Sequence, residues 1–150
     1  MVNEYSEEPS NVHSAKFKIK SKQNIIYIGL EGVWTVQQDL SYLTQFTQEI
    51  SHYRGRSWAV FVNMRNWTLP QEVFDSPYKR KIILSRKNQI GEGWLVNNPK
   101  QGDNLLPFFD KVNFDVFRSQ SLQRIKEHFS NLKLNFDIDL AQHIISNKDA

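Results

Sequence analysis

The chain of 150 residues carries a formal net charge of +3, and 39% of it is hydrophobic and 23% charged. This size and composition are typical of one globular domain and exclude a disordered or membrane-embedded chain. The chain contains no cysteine, which excludes disulfides, thiolate metal sites and a cysteine nucleophile.

Both ends of the chain differ in pattern from the part between them. Residues 1–14 show no hydrophobic periodicity and predict a polar arm. They are acidic and lack the apolar stretch of a secretory signal, which predicts a cytoplasmic location. Residues 15–133 predict one α/β domain, and residues 134–150 predict a C-terminal tail with the pattern of a further helix.

The first strand alternates lysines with apolar residues. Lys16, Lys18, Lys20 and Lys22 fall on one face and Phe17 and Ile19 on the other. This pattern predicts an edge strand that resists pairing with another chain. A turn at 21–24 leads into an apolar second strand that continues to Trp34, so the two strands predict an antiparallel hairpin.

A capped helix joins the second strand to a third. Thr35 and Gln38 have the spacing of a capping box. The apolar steps of the helix are Val36, Leu40, Leu43, Thr47 and Ile50, with Phe46 and Tyr53 at their margin. The strand that follows, 57–64, is apolar on both faces, so the helix predicts a crossover between parallel neighbours.

The second half of the chain continues the alternation of strands and helices. Ser76 followed by Pro77 predicts the start of a second helix that runs to about Asn88. Gly91-Glu92-Gly93 predicts a turn into a strand at 94–97. A further strand is predicted at 115–117, a short helix at 104–111, and a final helix capped by Ser119 or Ser121. The predicted fold is therefore α/β, a single mixed sheet of about five strands with an N-terminal hairpin, right-handed β-α-β crossovers and flanking helices.

This order of elements resembles the STAS superfamily, which includes sulphate-transporter cytoplasmic domains and antagonists of anti-sigma factors. Gly32-Val33-Trp34 at the end of the second strand, Trp67 after the third, and Val116-Phe117 before the last helix carry the resemblance. It covers about residues 15–133, and the closer likeness is to uncharacterised bacterial STAS-like or lipid-transfer-like proteins. The resemblance implies a non-catalytic regulatory or protein-interaction module of a bacterial cytoplasmic protein.

The resemblance also implies a phospho-acceptor serine. In regulatory members, a serine beside an aspartate at the start of the second helix is phosphorylated, and Asp75-Ser76 lies near that place. The sequence departs from the family pattern at Pro77 and at Asn63, where an aspartate is usual. Ser76 is thus the candidate phospho-acceptor, and the alternative is that it only caps a helix.

Motifs for catalysis are missing. The four histidines are scattered, and the sequence has no nucleophile elbow, phosphate loop or dinucleotide fingerprint. We therefore predict no enzyme activity, no cofactor and no metal site. The basic runs 79–81 and 86–87 are interpreted as a solvated helix face rather than a nucleic-acid surface.

A candidate binding site follows from the carboxyl ends of the predicted parallel strands, where open α/β sheets bind ligands. The residues expected at that edge are Trp34, Asn63, Arg65, Trp67 and Asn97. There Arg65 would pair with an anion and the tryptophans would line an apolar slot. The alternative is that the tryptophans cap the core and Arg65 is solvated.

Two functions remain open. The first is a protein-interaction module with an unidentified partner. The second is a carrier of a small molecule or lipid, with a pocket lined by Tyr27, Trp34, Phe61 and Trp94. A homodimer is also predicted, because aromatic residues are abundant and the tail is apolar.

Overall fold

In the computed structural model, which describes residues 15–78, 82 and 84–145, five strands form one sheet in chain order. The strands are β1 (Lys16–Lys22), β2 (Ile25–Val33), β3 (Trp58–Thr68), β4 (Gln89–Leu95) and β5 (Phe117–Ser119). β1 is antiparallel to β2, and every other neighbouring pair is parallel. The predicted α/β class and single mixed sheet are confirmed.

Helices cover both faces of this sheet. They are α1 (Val36–Ile50), α2 (Gln71–Phe74), α3 (Leu122–Asn131) and α4 (Ile138–His143), with 3₁₀ helices at Ser51–Tyr53 and Asp103–Phe109. α1 and the 3₁₀ helix Asp103–Phe109 pack on one face, and α3 and α4 pack on the other. Within the described ranges, no helix is long and apolar enough to cross a membrane.

The hairpin and the first helix begin as their local signals predict. Gln23 and Asn24 both have positive φ, 51° and 68°, which is the backbone of a tight hairpin turn. The lysines of β1 are exposed, and its apolar residues are half-buried at the edge of the sheet. At α1 the Thr35 side chain accepts a hydrogen bond from the Gln38 N–H, and the Gln38 side chain accepts one from the Thr35 N–H.

The buried face of α1 differs from the predicted stripe. The residues that reach the core are Asp39, Tyr42, Phe46 and Ile50, whereas Leu40 and Thr47 are only half-buried. The face is rotated because the two aromatic side chains contribute more apolar area than the aliphatic ones. The rotation carries a carboxylate, Asp39, onto the buried side of the helix.

The predicted helix from Ser76 to Asn88 is wrong. α2 ends before Ser76, only Pro77 and Tyr78 form a 3₁₀ turn, and the described residues 82 and 84–88 are not helical. Residues 79–81 and 83 lie outside the described residues. Ile82 and Leu84 both line the space beside the sheet. Their spacing of two residues does not place them on one face of a helix, so packing favours an irregular segment.

β4 begins earlier than the sequence predicts, at Gln89, and it contains the glycines that were expected in a turn. A Cβ at Gly91 would lie 2.5 Å from Leu132, and one at Gly93 would lie 3.0 Å from Phe129. The glycines are therefore needed where α3 packs directly on the strand backbone. β5, in contrast, begins two residues later than predicted, at Phe117.

Trp34 is part of the core. It is 1% exposed, and its ring centroid lies 5.3 Å from that of Tyr42 and 5.5 Å from that of Trp67. We expect Trp34→Ala to lower the free energy of unfolding by about 3–5 kcal/mol through lost packing. Urea unfolding measures the change, with the exposed Val33→Ala as the control. A Trp34→Ala midpoint equal to that of the control would contradict a core role.

Candidate functional site

Three of the five predicted site residues meet in the second half of β3, beside the carboxyl end of β4. The Asn63 side-chain oxygen accepts hydrogen bonds from the Arg65 backbone N–H and from Arg65 Nε, at 3.3 and 3.2 Å. The Asn97 amide donates to the Arg65 carbonyl at 2.8 Å. Arg65 itself is exposed, so the arrangement shapes the strand end and leaves a solvated guanidinium.

The two tryptophans of the predicted site touch each other but do not form an open slot. Trp34 is buried, and its indole N–H donates to the Glu31 carbonyl at 2.9 Å. Trp67 is half-buried and packs edge-on against it. The prediction that Trp34 lines an open slot is therefore wrong. In addition, the strand order never reverses, so the sheet lacks the switch point at which such crevices form.

Ser76 does not have the surroundings that the phosphorylation hypothesis requires. It is 7% exposed, and its hydroxyl accepts a hydrogen bond from the Tyr78 N–H at 3.3 Å. The expectation of an exposed serine is therefore wrong. Ser76 does precede a 3₁₀ turn at Pro77 and Tyr78, and its hydroxyl caps that turn.

The predicted carrier pocket combined residues from opposite faces of the sheet. Tyr27 and Phe61 belong to the core beneath α3 and α4, where both rings pack on Phe136. Trp34 and Trp94 belong to the core beneath α1. Side chains alternate along each strand, so one pocket cannot contain all four. Of the four, Trp94 alone lines the cavity described next.

A cavity of about 1450 Å³ opens to solvent between the sheet, α1 and the two connections that flank β4. We call it the α1-face cavity. Its aromatic wall includes Tyr42, Phe46, Trp94, Phe108, Phe109 and Phe114. Ligand pockets commonly measure about 300–1,000 Å³ and are mostly apolar, with a few polar groups that orient the ligand. The α1-face cavity is larger than this range and has the aromatic wall of such a site.

Glu92 lies in the wall of this cavity and is 3% exposed. Its Oε1 accepts hydrogen bonds from Arg86 Nη1 at 3.0 Å and from the Gln89 side-chain amide at 2.8 Å. Its Oε2 accepts one from the Trp94 indole N–H at 2.7 Å. These four residues form the Glu92 cluster, in which three side chains donate to the carboxylate and one of them, Arg86, is a cation.

Arg86 is the member of the Glu92 cluster that faces aromatic rings. Its guanidinium carbon lies 4.3 Å from the centroid of Phe109, a cation–π distance. The side chain is 15% exposed and also donates to the Gln89 side chain. The interpretation of Arg86 as part of a solvated helix face is therefore wrong, because the chain there is not helical and the guanidinium is largely buried.

Tyr42 places a hydroxyl beside the Glu92 cluster. Burial is the main cause that raises the pKa of this phenol well above its usual range, and the negative charge of Glu92 raises the pKa further. The hydroxyl therefore stays protonated and can donate a hydrogen bond at neutral pH. Tyr42 and Arg86 thus place two hydrogen-bond donors beside the Glu92 cluster, in a cavity wall that also contains charged side chains such as Lys87 and Lys111.

Sequence reasoning missed these residues because it assigned them to other elements. Gly91-Glu92-Gly93 was read as a turn, although strand alternation from Trp94 places Glu92 on the same face as that tryptophan. Tyr42 was left out of an aliphatic stripe. A charged residue flanked by two glycines and followed by an apolar run was the signal that could have identified Glu92.

Histidine and carboxylate side chains do not gather into a metal site: the described part of the chain contains no group of three or more that could hold an ion. Comparison with models of known protein families and with curated proteins gave no match.

Proposed function

We propose that this protein is a carrier that binds a small, largely apolar molecule in the α1-face cavity. The observation that supports the proposal is a cavity of about 1450 Å³ with an aromatic wall and an internal polar cluster. Large apolar pockets with a few converging polar groups are the usual form of a small-molecule site. The proposal keeps the carrier predicted from the sequence but moves its pocket to one face of the sheet.

The proposal does not include a reaction. Glu92 is the carboxylate whose contacts are best defined in the cavity, and its hydrogen bonds come from three side chains of its own chain. That arrangement is more suitable for a residue that positions Arg86 than for a residue that abstracts a proton from a ligand.

The regulatory module implied by the STAS resemblance stays a prediction, as do the resemblance itself, the homodimer and the cytoplasmic location. Of these, the regulatory module loses one support, because Ser76, its candidate phospho-acceptor, is buried. The carrier is favoured over it because the cavity is a specific observation that a filled core would not provide.

The carrier function predicts that filling the cavity blocks binding. Leu105 lines the cavity from the 3₁₀ helix Asp103–Phe109, so Leu105→Trp should weaken the binding of Nile red, a neutral apolar dye, roughly tenfold or more. The matched control is Leu122→Trp, at a half-buried position on the α3 face. Native mass spectrometry of protein from its producing cell should also detect a retained ligand. Equal Nile red affinity in both variants would place the dye elsewhere and contradict the proposal.

A further inference from the structure

The charges in the Glu92 cluster restrict the chemistry of the ligand. The Arg86 guanidinium forms an ion pair with Glu92 at 3.0 Å, and both side chains are largely buried. A ligand carboxylate that approached Arg86 would therefore also approach the Glu92 carboxylate. Both charges are largely buried, and repulsion between like charges is strong at buried positions, so the ion pair disfavours an anionic head group.

The donors that remain at this place can serve a neutral oxygen. Arg86 makes its hydrogen bonds to the described residues through Nη1, to Glu92 and Gln89, and a guanidinium has further N–H groups on Nη2 and Nε. No hydrogen bond within the described part of the chain uses the Tyr42 hydroxyl, which also lines the cavity. Both groups can donate to an acceptor that carries no charge.

The Glu92 carboxylate is not free to accept a further strong hydrogen bond from a ligand. Each of its oxygens already accepts a hydrogen bond from a side chain of the Glu92 cluster, and Oε1 accepts two. A ligand amine or other strong donor would have to displace one of these bonds. The wall around the cluster, including Phe46 and Phe109, is aromatic and suits an apolar ligand body.

From this geometry we infer that the ligand of the α1-face cavity carries a neutral oxygen acceptor, such as an ester, ketone or hydroxyl oxygen, on an otherwise apolar body. Arg86 and Tyr42 donate hydrogen bonds to that oxygen, and Glu92 excludes a carboxylate from the same position. The inference rests on the proposed carrier function and specifies its ligand class.

Three probes with the same chain length test this selectivity: methyl dodecanoate, dodecanol and dodecanoate, each below its micelle concentration. Their competition with Nile red for the protein is measured at neutral pH. We expect the ester and the alcohol to displace the dye at concentrations at least about tenfold lower than dodecanoate, because like charges repel in a buried site. Equal or tighter binding of dodecanoate would overturn the inference.

Glu92→Gln tests the cause of the selectivity. This substitution removes the negative charge, so the affinity for dodecanoate should rise about tenfold relative to that for the ester. The control is Glu127→Gln, the same change at an exposed position of α3. The inference would be overturned if the ratio of dodecanoate affinity to ester affinity were unchanged in Glu92→Gln. It would also be overturned if this ratio changed only in Lys111→Gln, a variant at another charged position of the cavity wall.

Tyr42→Phe is a second variant, and it tests the inference even if Glu92→Gln does not fold. The loss of one hydrogen bond should weaken binding of the ester and the alcohol about fivefold. If affinity for both were unchanged, the role of Tyr42 in the inference would be wrong. Failure of Nile red to bind the unmodified protein at all would instead overturn the carrier function itself, so the two failures are distinguishable.

Discussion

A chain that ends at Lys133 is expected to lose its cooperative unfolding transition. The residues beyond that point include the buried side chains Phe136, Ala141, Ile144 and Ile145. Full burial of a large apolar side chain contributes about 1.5–3 kcal/mol, and a domain's whole stability is about 5–15 kcal/mol. The loss of three such side chains therefore removes a large part of the stability available.

The contacts of the segment after Lys133 explain why the fold requires it. Phe136 stacks on Phe129 at 5.0 Å between ring centroids. The Asp137 N–H donates to the Tyr27 hydroxyl at 2.7 Å, and a Cβ at Gly29 would lie 2.9 Å from Ile145. The tail thus covers β2 directly, and its apolar residues find their partner surface on their own chain.

Thermal unfolding followed by circular dichroism measures the effect of the truncation. His143→Ala, an exposed substitution in α4, is the control and should melt as the full chain does. A shortened chain that melts cooperatively at the temperature of the full chain would show that the tail is dispensable for the fold. Sedimentation of both chains would then be needed to test the predicted homodimer.

Glu92→Ala is expected to lower the free energy of unfolding by about 3–5 kcal/mol, the usual result of removing one partner of a buried ion pair. The change leaves Arg86, which is 15% exposed, without its counter-charge. It also removes the acceptor of the Trp94 indole N–H. Glu92→Gln keeps an acceptor oxygen and should cost about 1–3 kcal/mol.

Urea unfolding of these variants, with the exposed Glu127→Ala as the control, measures the predicted order. A Glu92→Ala midpoint equal to that of Glu127→Ala would show that the ion pair contributes no stability. The double variant Arg86→Met/Glu92→Leu should recover much of the loss, because apolar side chains often replace a buried ion pair without a loss of stability. It should nevertheless lose the preference for neutral oxygen ligands.

The prediction of the fold succeeded where the signal was local. The capping box at Thr35 and Gln38 depends on residues three apart, and both of its hydrogen bonds form. Ile25 and Val60 lie in apolar runs that only a strand covered on both faces can bury, and both are fully buried. α4 likewise forms within the tail for which a helix was predicted.

The prediction failed where distant parts of the chain compete with a local signal. Ser76 followed by Pro77 is a good helix start and caps a 3₁₀ turn at Tyr78, but the described residues 82 and 84–88 are not helical. Gly91 and Gly93 resemble a turn, yet α3 packs on them from more than thirty residues further along the chain. At these glycines the side chains that decided the conformation, Leu132 and Phe129, are remote in sequence, and no local pattern reports them.

The sequence by itself determined the α/β class, the order of strands and the hairpin, because hydrophobic periodicity and caps act over a few residues. The tertiary structure alone decided the site. It rotated α1 until Tyr42 faced the sheet, separated Tyr27 and Phe61 from Trp94, and placed Arg86 and Glu92, six residues apart, beside α1 and Phe109. A cavity is the space left after all elements have packed, so its wall follows from long-range contacts that a single sequence does not state.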